Sequence, residues 1–157
     1  TQKITPSLWV ETTDAKAVVD YYLSIFKDGK MKDHRKYKNP PEAGGGDFET
    51  AIMELNGMEF NILAAGPYFK FNESVSFVIN CKDQAEVDYY WNALTAGGEE
   101  SMCGWLVDKF GLSWQIIPDA LGKLMSDPDR NKSQKVMMAM LKMKKIIVAD
   151  LEAALND

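Results

Sequence analysis

The alternation of apolar and polar residues changes period several times along the chain, and each change marks an element. Residues 4–9, around "PSLWV", predict a short strand; Pro6 has no N–H to donate and suits a strand start or a sheet edge. In "TTDAKAVVDYYLSIF", Ala17, Val18, Tyr21, Tyr22 and Ile25 recur at helical spacing. Thr13 or Asp14 stands where a side-chain oxygen can accept from the free N–H groups of the first turn, so the segment predicts an amphipathic helix. The polar run "KMKDHRKYK" predicts a strand and "NPPEAGGGD" a breaker-rich loop. "FETAIMEL" and "MEFNILAA" predict two more strands joined at Asn56-Gly57, a pair that tolerates positive φ and suits a type I′ hairpin.

The second half repeats this order. "SVSFVINC" predicts a strand, and "KDQAEVDYYWNALTAGG" a helix that Gly97-Gly98 can end in a left-handed conformation. "EESMCGWLVD" and "GLSWQIIP" predict further strands, split by a turn at residues 109–111. The tetrapeptide "VDYY" occurs in both helices, at residues 19–22 and 87–90, each time after an apolar strand and an aspartate near the helix start, Asp14 or Asp83. Repetition of pattern and words together predicts an internal duplication. Its modules span about residues 3–66 and 73–118, with sheets joined into one curved surface, helices outside and a concave face within. From residue 119 the character changes. "SDPDRNKSQKVMMAMLKMKK" puts Val136, Met137, Met140, Leu141 and Lys144 on one stripe, and "VADLEAAL" predicts a last short helix. Such a stripe buries a helix face against the sheet or a partner subunit, although flexible methionines also line adaptable binding surfaces.

Composition narrows the function classes. At 157 residues and 46% apolar content the chain can bury a real core. Eighteen basic against 23 acidic residues leave a net charge of −5, which argues against a broad electrostatic grip on nucleic acid or anionic membrane. No apolar run approaches the roughly 20 residues of a membrane span, and no basic-then-apolar leader opens the sequence, so a cytoplasmic protein is expected. Cys81 and Cys103 match no zinc spacing and are expected as reduced thiols.

The duplicated module, "GPYFKFNESVSFVIN", and above all "GGEESMCGWLVDKFGLSWQIIPDAL" resemble the PhnB-like proteins of the vicinal-oxygen-chelate, or glyoxalase and dioxygenase, superfamily. The resemblance extends over nearly the whole chain, including the "SDPDRNKSQKVMMAMLKMKKI" tail. Many such proteins carry the label 3-demethylubiquinone-9 3-methyltransferase. The resemblance implies an α+β fold of tandem βαβββ modules in a single domain, a cup-shaped curved mixed sheet, C-terminal helices over about residues 119–157, and a homodimer. A class I methyltransferase, by contrast, holds its cofactor with a Gly-rich turn between a parallel strand and a helix. Neither the glycines at residues 44–46, between antiparallel strands, nor Gly97-Gly98, at a helix end, offer one.

In metal-dependent relatives, His and Glu from the first and last strands of each module hold a divalent ion. The corresponding strands here offer only Glu59 and Glu73, and "D-K-F-G-L-S-W-Q" resembles the superfamily's Asp, Gly, Glu ending with Gln115 where the carboxylate would stand. A neutral amide replaces an anion poorly, so no glyoxalase-type metal and no other cofactor is expected. His34, the sole histidine, reads as a solvated strand residue without a companion acid.

Alternation then selects the cup lining. Thr5, Ser7 and Trp9 share a face, as do Glu59 and Asn61, Ser76 and Asn80, and Ser113 and Gln115, which leaves Trp114 in the core. Trp9, Asn61, Ser76, Trp105 and Gln115, with Cys103 beside Gly104, are the candidate contacts for a small organic molecule bound without metal. Cys103 reads first as a structural thiol, since no cation or base stands near it in sequence. Three other readings remain: a divalent-metal lyase, isomerase or dioxygenase using Glu59, Glu73 and further ligands, the methyltransferase of the label, and an interaction-only protein whose cup is filled by its own side chains.

Overall fold

In the computed structural model, residues 2–39 and 45–157 are described; the center of the breaker-rich loop, residues 40–44, lies outside them. The chain divides into two compact units, Thr1–Lys70 and Phe71–Asp157.

In the first unit the order is β1 (Ser7–Val10), α1 (Ala15–Ile25), β2 (Lys30–Tyr37), β3 (Phe48–Leu55) and β4 (Met58–Ala64). They form a four-stranded mixed sheet, β1-β4-β3-β2, in which only the β1–β4 pair is parallel. Regular pairing starts at Ser7, later than the pattern predicts, because Pro6 cannot donate; its carbonyl instead accepts the Asn61 N–H at 2.9 Å. The hairpin between β3 and β4 turns at Asn56 (φ 50°) and Gly57 (φ 83°), the two positive values a type I′ turn requires.

One face of this sheet is closed by α1. Leu8, Val10, Ala51, Met53, Phe60 and Ile62 meet Val18, Val19, Tyr22 and Ile25, all buried. Fully burying one such aliphatic side chain contributes about 1.5–3 kcal/mol, so this layer is the principal source of the unit's stability. In β2 the register slips between Met31 and Asp33, leaving Lys32 as a bulge. One extra residue moves every later side chain to the other face. Thus Lys30 lies opposite Glu54 on the open face, whereas His34 lies opposite Ala51 on the helix side.

The second unit repeats the topology with β5 (Ser76–Cys81), α2 (Gln84–Thr95), β6 (Glu99–Glu100), β7 (Trp105–Val107) and β8 (Ser113–Pro118), in sheet order β5-β8-β7-β6. The single parallel pair is again first strand with last. Both helices are capped alike: Asp14 accepts from Ala17 N–H and Asp83 from Glu86 N–H, each at 3.0 Å. The duplicated tetrapeptide sits one residue differently relative to these caps, since Val19 follows Asp14 by five positions and Val87 follows Asp83 by four. One residue is about 100° of helix rotation, and Tyr22 is accordingly buried while Tyr90 is half-buried.

Three further helices complete the second unit: α3 (Asp119–Met125), α4 (Arg130–Met140) and α5 (Val148–Ala153), the last followed by a 3-10 turn at Ala154–Asn156. The pattern foreshadows α4 and α5 but not α3, which starts directly after Pro118. Leu121, Val136, Ile146 and Leu151 are the core of this layer, and Ala139, Met140 and Met143 pack against them. The inward stripe therefore differs from the expected one. Helix α4 stops at Met140, and Leu141 is left 49% exposed together with Met138.

A strap at residues 142–148 fastens these helices to the sheet. Cys103 N–H donates to Met143 O at 2.7 Å and Gly104 N–H to Lys144 O at 2.8 Å. At the start of α2, Gln84 donates through Nε2 to Ile146 O (3.0 Å) and accepts from Val148 N–H (2.7 Å). Lys145 pairs with Asp88 at 2.9 Å. Gly104 has φ +84°, and a Cβ there would lie 2.9 Å from Ile116 O and 3.1 Å from Ile146 Cγ1, so the close approach of strap and sheet needs glycine.

Candidate ligand-binding faces

Each sheet has a face that its helix does not cover, and the sequence-selected side chains divide between the two. On the first sheet, Ser7 pairs across the ladder with Asn61, and Trp9 with Leu63. Asn61 is exposed and Trp9 half-buried. The Trp9 indole N–H donates to Gly66 O at 2.9 Å, which fixes the ring. Phe69 and Tyr68 meet it edge-on, with centroids at 4.9 and 6.3 Å. Trp9, Phe48, Tyr68 and Phe69 wall a cavity of about 440 Å³, within the range of small-molecule sites.

The glutamates of β3 and β4 are engaged by neighboring side chains. Glu59 is hydrogen-bonded by Lys32, and that bond, reinforced by the charges of Lys32 and Lys30, holds its carboxyl below the ordinary range. Glu54 faces Lys30 at 3.8 Å and Lys32 at 4.0 Å. His34 departs from its expected solvated role. Turned inward by the bulge, its Nε2 lies 2.8 Å from Glu49 Oε1, and the same oxygen accepts the Ala15 N–H at 3.3 Å. The pair ties β2, β3 and the start of α1 together. Sequence reasoning missed it because the partner comes from the facing strand.

On the second sheet the three selected residues are neighbors. Gln115 of β8 lies opposite Trp105 of β7 on one side and Val78 of β5 on the other. Its Nε2 donates to Ser76 Oγ at 2.9 Å, leaving Oε1 with no hydrogen-bond donor among the described residues. Ser113, opposite Ser76, is buried, and its hydroxyl also lacks a partner among the described residues. An aromatic wall thus stands beside a fixed amide with a spare acceptor, a combination suited to orienting a flat, polar, uncharged molecule.

Behind this face, Trp114 occupies the core position that alternation assigns to it. Its Nε1–H donates to Asp108 Oδ2 at 2.9 Å, and its ring lies 5.7 Å from that of Phe77. Asp108 is buried and also accepts the N–H groups of Phe110 (2.8 Å) and Leu112 (3.1 Å). The Asp and Gly of the family-like ending therefore build the turn that delivers Gln115.

The structure does not bring Cys103 into this group. It lies in the loop before β7 at φ +61°, half-exposed, with its N–H engaged by Met143 of the strap. Cys81 is fully buried, and burial, followed by the nearby carboxylates of Glu86, Asp119 and Asp83, pushes its thiol up to about 12. Glu100 of β6 accepts the Trp91 indole N–H at 3.1 Å.

Among the described residues, no group of three or more His, Cys, Asp or Glu side chains is placed to hold a metal ion. The chemistry of the donors agrees: Ser7, Asn61, Ser76 and Gln115 are neutral, and Glu54 and Glu59 are engaged by lysines. This set does not fit a divalent ion held by His and carboxylate. The strand-to-helix turns at residues 11–14 and 82–83 contain no glycine, unlike a nucleotide-binding turn. Among the described residues no helix is long and apolar enough to cross a membrane.

Over residues 2–117 the sequence matches the family described as 3-demethylubiquinone-9 3-methyltransferase; the three C-terminal helices lie beyond the match. No curated protein matches the sequence. Among solved structures, the chain is similar to the PhnB protein of Bacillus cereus, which bears the same family description: 29% identity over 74% of this chain and 99% of that one, TM-score 0.65. A Pseudomonas aeruginosa protein is 18% identical over 76% of this chain and 100% of its own, TM-score 0.58. A variant of the fosfomycin resistance protein FosX from Listeria monocytogenes, solved with Mn(II), is 14% identical over 74% and 91%, TM-score 0.53. The last two show the fold alone, and it is the glyoxalase fold.

Proposed function

Because the chain belongs to the 3-demethylubiquinone-9 3-methyltransferase family and is PhnB-like within it, we propose that it is a glyoxalase-fold protein that binds a small organic molecule on the open face of its second sheet, without a glyoxalase-type metal. The observation that carries this reading is the cluster of Ser76, Gln115 and Trp105 from three adjacent strands, with the Gln115 Oε1 held in place and unpaired among the described residues. A ligand N–H or O–H would fill that acceptor while a flat portion lies along the Trp105 indole. Trp9 and Asn61 mark a separate candidate face on the first sheet, considered by itself, whereas Cys103 stands outside both faces. The protein acts as a cytoplasmic homodimer on a diffusible substrate or ligand.

The family description points to methyl transfer, but the glycine-free strand-to-helix turns give a nucleotide cofactor no seat of the usual kind, which favors the simpler binding reading. Native mass spectrometry of protein purified without added metal or chelator tests it. The expected spectrum retains an organic mass, and Gln115→Ala loses it or weakens binding about fivefold to tenfold, the value of one hydrogen bond to a neutral group. Stoichiometric metal retained by the wild type, or saturable S-adenosylmethionine binding by calorimetry, would overturn the proposal in favor of a metal enzyme or the methyltransferase.

A further inference from the structure

The cavity of about 440 Å³ beside Trp9 has a chemistry of its own, and every described residue of its lining belongs to the first unit. Phe69 and Tyr68 each meet the Trp9 ring at 88°, so both stand nearly perpendicular to the indole and the corner presents ring faces on adjacent sides. Phe48 adds a fourth ring, held by stacking on Tyr37 at 4.9 Å and 15°. The Trp9 N–H is spent on Gly66 O, and Tyr68 and Phe69 are left 74% and 62% exposed.

Charge selects the occupant. An aromatic face attracts a cation lying within about 6 Å of its center. Among the described residues no Lys, Arg or His lines the cavity; Lys38 and Lys70 flank lining residues in sequence, but Lys70 reaches Glu11 at 3.9 Å. Asp47 stands between the lining residues Gly46 and Phe48, and its Oδ1 accepts the N–H of Asn39, another of them, at 3.1 Å. A carboxylate is thereby fixed beside the rings. An anion fits such a place badly, and a primary ammonium brings three N–H groups that ring faces satisfy poorly. A quaternary ammonium brings none, and its charge is spread over methyl groups that pack against aromatic walls. We propose that this corner binds a small, free trimethylammonium compound, with Trp9, Tyr68 and Phe69 around the methyl groups and Asp47 as the counter-charge. The site goes beyond the reading given above, since the ligand of the second sheet plays no part in it.

Calorimetry of the full chain tests it, with choline chloride titrated against the neutral analogue that has carbon in place of nitrogen. Choline is expected to bind saturably and at least about threefold more tightly than the analogue. Phe69→Leu and Tyr68→Leu, both at exposed positions, keep apolar surface but remove a ring; each should weaken choline about threefold to thirtyfold with an unaltered circular dichroism spectrum. Tyr68→Phe, which keeps the ring, should retain binding. Equal affinity for the two probes, or choline binding untouched by both leucine variants, overturns the cation site. So does the absence of saturable heat up to roughly 50 mM choline. Binding to phosphatidylcholine vesicles without binding to free choline overturns the assignment to a free compound.

Discussion

Replacing Trp114 with Phe should destabilize the protein far more than its small loss of apolar surface suggests. The indole N–H donates at 2.9 Å to Asp108 Oδ2, and Asp108 is 2% exposed, so the bond is lost where bulk water does not readily replace it. A hydrogen bond to a charged group is worth about 1.5–3 kcal/mol, and the smaller ring adds about 1 kcal/mol for the space it leaves, for a total of about 2.5–4 kcal/mol. Urea unfolding followed by far-ultraviolet circular dichroism reads this as a lower midpoint at constant m value. Asp108→Asn keeps an acceptor but removes the charge. The two changes share one interaction, so the double variant should lose clearly less than the sum of the singles. A Trp114→Phe loss below about 1 kcal/mol, or strict additivity with Asp108→Asn, would refute the view that this bond anchors the turn before β8.

Other outcomes follow from local geometry. A Cβ at Gly98 would lie 2.1 Å from Val107 O, so Gly98→Ala should cost about 3 kcal/mol or more in thermal or urea unfolding; a neutral result would mean that the turn before β6 and the end of β7 approach less closely. With a thiol reagent near pH 8, half-exposed Cys103 should react in the native state and Cys81, with its thiol pushed up to about 12, only after denaturation; equal native rates would contradict that burial. The hydrogen bond from Lys145, aided by Gln84, holds the Asp88 carboxyl below its ordinary 3.8. Its folded value is depressed, so its contribution is complete above that pH and is lost as acid carries the pH down through the folded value. Asp88 is 42% exposed, which limits the effect to about 0.5 kcal/mol; acid unfolding curves of wild type and Lys145→Ala should converge at low pH, and parallel curves would contradict the linkage.

Local rules made much of this architecture readable. Capping aspartates, helical spacing and the Asn-Gly pair located α1, α2 and the β3–β4 turn, and strict alternation placed Ser76 and Gln115 on one face with Trp114 on the other. What escaped depends on pairing between distant segments. The bulge at Lys32 has no residue-type signature, yet it decides whether His34 faces water or meets Glu49. Asp108 carried a readable hint, since an aspartate followed by Lys-Phe-Gly-Leu suits a turn in which the carboxylate accepts backbone N–H groups two and four residues on. The methionine stripe misled for a related reason. Helix length depends on what closes it, and α4 ends at Met140 where the chain turns into the strap, freeing Leu141 from the inward face.

The strap also acts as a guard on an exposed backbone. The N–H groups of Cys103 and Gly104, next to β7, would otherwise project as unpaired donors, the kind of edge that recruits a strand from another molecule. Met143 and Lys144 occupy them instead, and Ile146 seals the glycine surface beneath. Local release of residues 142–148 would therefore uncover a sticky edge and an apolar patch at once. The protein's resistance to clumping under mild heat is expected to track the two-pronged grip of Gln84 more closely than its global unfolding temperature.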